Sequence, residues 1–418
     1  MTDRRQVAHL LRRLTFGPTS AEVDAGVRAG YDATLAAQLR PAAPPADAPS
    51  AADPVAALGP DAARADRQKA RKAQREQVDE TIRWWLRRMA GGGAAEKLVF
   101  FWHGHWATSV RKVRSAPLML AQQQTFRRYG TGDTGPLVRA MLRDPALILW
   151  LDGQKNTRKA PNENLAREVM ELFTLGVGAY SEDDVKAGAR VLTGWQVDRA
   201  TGTARLVARR HDDQPVTLLG RTGTFDVDSY ADLLVRHEAH VPFLVQRLWV
   251  RYGSGVAPPA EVSAQVAAAG RDTTALLGAV CRDPGFAATA GTLVKQPVEW
   301  LVGAVRQLGV PMEEVKAEQL LRPLGQMPLR PPSVGGWPVG AAWLTTSSTL
   351  ARLRAGQRLA ALAPTAADRL TGADRLEALA DLLVVDGWSD RTRDALTSVK
   401  QPGRLLALGL ASPEYAVH

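Results

Sequence analysis

The densest gathering of chemistry-bearing residue types is Phe100–Ser109, FFWHGHWATS, where two histidines bracket a glycine between aromatic rings. Histidine is the common transition-metal ligand and the usual general base near neutral pH, so His103 and His105 are candidate ligands of a divalent ion. Side chains two apart on a helix diverge by about 200°, so the pair serves one site only if Gly104 breaks the helix. The competing reading is a pair of buried histidines that donate to backbone carbonyls.

A second constellation is PNENLAREVMELFTLG at Pro161–Gly176. Asn164, Glu168 and Glu171 stand at i, i+4 and i+7, on one helical stripe beside the apolar stripe of Leu165, Val169, Leu172 and Phe173. Two carboxylates three residues apart ask for a compensating cation, proton or metal. Glu163 instead reads as a first-turn acid behind an Asn162 cap, and Arg167 as an i, i+4 partner of Glu171. A third element is His211–Asp213, in RRHDDQPVTLLG. Taken together, His103, His105, Glu168 and His211 form a nitrogen and oxygen donor set of the kind that holds zinc, iron or manganese. Glu171 and Asp212 are then the acids that would move protons at such an ion.

Helical periodicity accounts for most of the elements that must position these residues. Thr19 and Glu22 read as a capping box, and helices are expected over Glu76–Ala90, Ala94–His103, Ala116–Tyr129, Thr134–Arg143, Asn162–Leu175, Glu182–Leu192, Asp228–Tyr252 and on to the C-terminus. Gly176 stands where a left-handed C-terminal cap belongs. Pro41–Pro60 reads as a Pro/Ala-rich linker or an ordered but irregular excursion. The exception to helix is 204–225, where ARLVARR and PVTLLG are β-prone runs that predict one hairpin with His211–Asp213 in its turn. The fold class is therefore predominantly α, a large multi-helix unit over 1–418 with a small β-hairpin excursion.

Other residues invite functional labels. Glu299 in KQPVEW, on an otherwise apolar helix, is expected to pair with Arg247 or Arg251. Trp337 and Trp343 beside Gly335–Gly336 either line a pocket or pin their loop to the core. His237 and His240 have metal-compatible spacing, but their charged surroundings (RHEAH) place them toward solvent. The chain has no phosphate-binding loop, no dinucleotide glycine fingerprint and no serine elbow, which leaves nucleotide hydrolysis and α/β-hydrolase chemistry without support.

Composition narrows the classes further. The 418 residues hold one cysteine, Cys281, so any metal site must be built from histidine and carboxylate, and Cys281 itself reads as a buried small hydrophobe. No apolar run approaches the roughly 20 residues of a membrane span. The net charge of +10 rests on 43 arginines and only ten lysines. With the richness in Ala, Gly and Pro, that is what a GC-rich genome produces without selection for a ligand. Nucleic acid is not the expected partner, since only Arg67–Arg75 is dense in charge and acids flank it at Asp66 and Glu76. Arg12 and Arg13 interrupt the first apolar stretch, so no signal peptide is visible and a cytoplasmic protein is expected.

RRLTFGPTSAEV, KLVFFWHGHWATS, PNENLAREVMELFTLGVGAYSEDDVKAGARVLTGW, the HDD segment, KQPVEWLVGAVRQLG, LGQMPLRPPSVGGWP and the terminal SPEY closely resemble, in order, the large bacterial family catalogued as domain of unknown function 1800. The resemblance spans nearly the whole chain. It implies that His103, His105, Asn162–Glu171 and His211–Asp212 lie in the family's own signatures, and it carries no established activity. It also implies a partner, since members are often exported and encoded beside an alkaline-phosphatase-like protein of the family catalogued as domain of unknown function 1501. This chain departs from the exported members in showing no leader, so export would require a signal-bearing partner. Two functions follow as expectations: a metal-dependent, hydrolase-like enzyme with a His/Glu site, or a non-catalytic helical accessory of the phosphatase-like protein. A polyanion or polysaccharide binder using the arginine surplus is a third.

Overall fold

Side-chain caps define where most helices begin. In the computed structural model, which describes residues 3–41, 43–49, 52–59 and 61–418, Thr19 and Glu22 form the reciprocal capping box before Ser20–Ala29. Ser181 and Asp184 do the same before Glu182–Val191, and Asp226 and Ser229 before Val227–Arg236. Each such cap satisfies amide groups that the first helical turn leaves free. The described residues are predominantly α-helical, with two small antiparallel two-stranded sheets.

The helix expected over Glu76–Ala90 runs from Arg64 to Gly91. Its added N-terminal turns (RADRQKARKAQR) are built from good helix formers with no apolar stripe, so periodicity could not reveal them. Part of the Pro41–Pro60 stretch packs on that helix: Trp84 Nε1 donates to Asp47, Arg88 pairs with Asp47, and Gln74 donates to buried Asp53. Positions 42, 50, 51 and 60 lie outside the described residues. The helix expected over Asp228–Tyr252 is two, Val227–Arg236 and His240–Tyr252.

The β excursion is two hairpins. Thr203–Leu206 pairs backward with Trp195–Asp198, in the register Trp195↔Leu206 to Asp198↔Thr203, and Val216–Leu218 pairs with Arg221–Gly223. The first turn is set by Asp198, whose carboxylate accepts from the amides of Ala200 and Thr201. The second is the two-residue turn Leu219–Gly220, both at positive φ, which matches the twist of the flanking strands. His211–Asp213 therefore lies in the connector between hairpins instead of at a hairpin tip.

One contiguous set of buried apolar side chains extends from Leu10 to Tyr415, with Trp84, Trp85, Trp102, Trp106 and Trp300 among its largest fully buried members. Cys281 is buried, and burial pushes its thiol up to about 12. Among the described residues no helix is long and apolar enough to cross a membrane.

Candidate functional site

The Ala94–His105 helix continues through Gly104. His103 and His105 consequently diverge. Nε2 of His103 accepts the Leu329 amide at 3.1 Å, and its ring meets Trp85 and Trp337 edge-on, 5.3 and 5.4 Å between centroids. Nε2 of His105 donates to the Phe173 carbonyl at 2.9 Å. Burial holds both imidazoles near 3, well below the ordinary histidine value, and the Arg247 charge adds to the effect at His105.

The carboxylate block ends in a π-helical turn, Val169–Thr174, so the i, i+4, i+7 stripe is not kept. Glu168 and Glu171 are half-buried at its edge. Glu171 accepts from the Tyr180 hydroxyl at 2.9 Å, and the Glu168 carboxyl is raised by burial and then by the Glu171 charge. Arg167 pairs with Glu163 and Glu182, not with Glu171. The wide turn leaves two carbonyls that histidines satisfy from neighbouring helices: His105 takes Phe173, and His240 Nδ1 takes Thr174 at 3.0 Å. His240, expected toward solvent, is buried and bridges on to Thr134 through Nε2.

His211 Nδ1 lies 3.0 Å from the Thr193 carbonyl. Asp212 forms an ion pair with Arg190 at 2.7 Å, and that hydrogen bond lowers its carboxyl. Among the described residues there is no group of three or more His, Cys, Asp or Glu placed to hold a metal. No three of His103, His105, Glu168 and His211 converge on one point. This donor set does not fit a shared zinc, iron or manganese ion.

Other signature residues do converge. Phe100, Phe101, Gly104 and His105 face Arg247 and Arg251 of the His240–Tyr252 helix across a cleft of about 180 Å³, closed by Gln296 and by Gly335–Val339. Trp337 stacks on Phe100 at 5.4 Å, so it both pins its loop and lines the cleft. No Asp or Glu lines it. Arg247 has no hydrogen-bond or ion-pair partner among the described residues, and burial lowers its guanidinium. Arg251 gives one terminal nitrogen to Glu299 at 3.0 Å, while its other, Nη2, is buried without an acceptor, as is the Trp337 indole N–H.

Below the cleft, Lys97 and Glu299 are fully buried 2.7 Å apart. Burial opposes the Glu299 charge, yet Arg251 and then Lys97 hold its carboxyl well below the usual range. Lys97, lowered to about 8 chiefly by burial, also donates to the Thr15 and Arg12 carbonyls at 2.8 and 3.2 Å. Arg13, equally buried, donates to the Gly253 and Thr289 carbonyls. One carboxylate thus pairs with two buried cations, Lys97 and Arg251, with Arg13 nearby on carbonyls, a cationic excess directly beneath a wall that carries two arginines. Sequence reasoning missed Lys97 and Arg13 and named Arg247 and Arg251 only as candidate partners of Glu299. The available signal was Lys97 itself, a lysine beside Glu96 at the head of the apolar run Leu98–Trp102.

Residues 9–417 match the family described as Protein of unknown function (DUF1800). The chain belongs to this family. No curated protein and no solved structure matches it. The cleft is where four of the blocks that carry the family resemblance meet: FFWHGHW, KQPVEW, GGWP and, through Arg13 behind Glu299, RRLTFG.

Proposed function

We propose that this protein binds a small anionic ligand, through a carboxylate or phosphate group, in the cleft between His105, Arg247, Arg251 and Trp337. The observation that carries the reading is the juxtaposition, among the described residues, of Arg247, which has no partner, and Arg251, which has a free buried nitrogen, in a wall without an acid. A guanidinium presents parallel donors that match two oxygens of a carboxylate or phosphate, and a dry, cationic site strengthens that bond. Gln296 and the Trp337 indole add neutral polar groups, and the Phe100 and Phe101 rings accommodate an apolar body behind the anion. The reading routes no step through a metal. The test is calorimetric titration with phosphate and with short mono- and dicarboxylates, on the full chain and on Arg247→Ala. Binding that R247A abolishes while its melting temperature stays unchanged supports the reading; titration without heat for every anion refutes it. Elemental analysis of the same preparation tests the metal-dependent hydrolase, which requires near-stoichiometric zinc, iron or manganese.

The accessory reading has its own support in the engagement of His103, His105 and His211 with backbone groups, as a polar network that specifies packing would have. On that reading the protein assembles with the alkaline-phosphatase-like partner, domain of unknown function 1501, and leaves the cytoplasm with it. Co-expression and isolation of a stable complex without metal would favour it.

A further inference from the structure

The Arg64–Gly91 helix carries Arg64, Arg71 and Arg75 on one stripe, at i, i+7 and i+11. We propose that the groove beside this stripe is a docking site for an acidic peptide segment of a partner protein, one that also presents apolar side chains. A cavity of about 630 Å³ is walled by Arg71, Arg75, Arg111, Arg114, Arg199 and Arg330. A second, of about 640 Å³, shares Arg71 and Arg75 and extends it toward Arg64. Neither shares a lining residue with the anion cleft.

The six arginines come from four separate parts of the chain, so their meeting is not a charge run solvated along one helix face. Arg330 is paired with Asp79, and Arg199 donates to the Val113 carbonyl. The side chains of Arg71, Arg75, Arg111 and Arg114 have neither an ion partner nor a hydrogen-bond acceptor among the described residues. Among the described residues the one acid in the wall is Asp53, whose Oδ1 accepts from the amides of Val55 and Ala56 and from Gln74 while its Oδ2 is buried without a partner, so one carboxylate stands against six arginines. Arg114 is also held at φ 52, a left-handed backbone that favours glycine.

The rest of the lining selects the occupant. Exposed Val55, with the edges of the buried Val78 and Val110, gives the groove apolar surface, which a purely polyanionic chain would leave unused. No aromatic ring lines it, so bases of a single strand find no stacking platform. Carboxylates on the guanidinium forks, with apolar side chains on the valines, satisfy both kinds of surface.

The experiment is fluorescence anisotropy on the full chain with labelled peptides of about 12 residues, against labelled oligothymidine and heparin as competitors. The probe is an Asp/Glu/Leu peptide, and its control replaces Leu by Ser. The expected result is saturable binding of the Leu peptide that weakens at least about tenfold between roughly 50 and 300 mM salt, and severalfold with the Ser peptide. R71E/R75E should weaken it at least about tenfold, and R75A/R111A by a smaller factor, with circular dichroism and melting unchanged because the side chains are exposed. No saturation by the peptide, equal binding by the arginine variants, or tighter binding of oligothymidine or heparin than of the peptide would overturn the proposal.

Discussion

A methyl group on Gly336 would stand 2.3 Å from the carbonyl oxygen of Gly104, closer than any carbon contact a folded chain tolerates. The two glycines are where the Gly335–Trp337 turn lies on the Ala94–His105 helix, and that contact sets the depth of the cleft. Gly336 is also at φ +81. Gly336→Ala must push against backbone, and is expected to cost at least about 2 kcal/mol and to weaken anion binding. Gly104→Ala is the opposite case. Its added carbon would meet only the Trp337 ring, at 3.7 Å, and a helical alanine gains about 0.5–1 kcal/mol over glycine. It should raise the melting temperature while narrowing the cleft, so stability and affinity move in opposite directions. Both are read by thermal denaturation with and without the anion that binds best.

The Gly104 result shows what was and was not legible in the sequence. Helix positions were legible because caps and apolar stripes are local: Ala116–Tyr129 begins and ends where its sequence signals place it, and the helix expected over Glu182–Leu192 ends one residue earlier, at Val191. Gly104 offers a place for the helix to break, but the helix runs on and the glycine instead lies against Gly336, 232 residues later, a contact that no window of sequence contains. The π-helical turn at Val169–Thr174 likewise depends on His105 and His240 arriving to take its carbonyls. The hairpin pairing was misread because Trp195–Asp198 is short and sits at the end of a helical pattern. The arginine cleft was hidden for a chemical reason: in a chain with 43 arginines, two on a helix carry no signal until their lack of acids is seen in space.

Stability should fall steeply in mild acid. His9, His103 and His105 are held near 3 by burial, whereas in the unfolded chain they titrate near 6.5. Between those values the unfolded chain binds more protons, so protons favour unfolding and stability rises with pH from about 3 to about 6.5. Above that window these groups contribute no slope. His103→Gln keeps an acceptor for the Leu329 amide but cannot titrate. It should be somewhat less stable than the parent at pH 7.5, and its melting temperature should decline less between pH 6.5 and 4. A decline identical to the parent's would show that His103 is not one of the groups responsible.

Removing Arg247 and Arg251 should have different consequences, although both line the cleft. Arg247 pairs with nothing among the described residues, so Arg247→Ala should remove anion binding at little cost in stability. Arg251 neutralises Glu299, so Arg251→Ala should lose binding and also a few kcal/mol of stability. If calorimetry shows R247A binding the anion as well as the parent does, the cleft is not the site.

The Lys97–Glu299 pair allows the buried charge beneath the cleft to be separated from the cleft itself. Breaking a buried ion pair from one side strands the other charge, so Lys97→Met is expected to destabilise by about 3–5 kcal/mol. Glu299→Gln should be worse. It strands Lys97 and Arg251 together and weakens the acceptor for the Gln296 amide, which now donates to Glu299 Oε2 at 2.9 Å. The double variant K97M/E299Q should be more stable than E299Q alone, since only Arg251 then lacks its counter-charge. That order, K97M/E299Q above E299Q in chemical denaturation, follows from one carboxylate serving two cations. If K97M/E299Q falls below E299Q by the full single-variant cost of Lys97→Met, Lys97 acts through its Thr15 and Arg12 carbonyl contacts and not through Glu299. An anion supplied to the cleft should recover part of the stability lost by E299Q, because it places negative charge next to Arg251 from the other side.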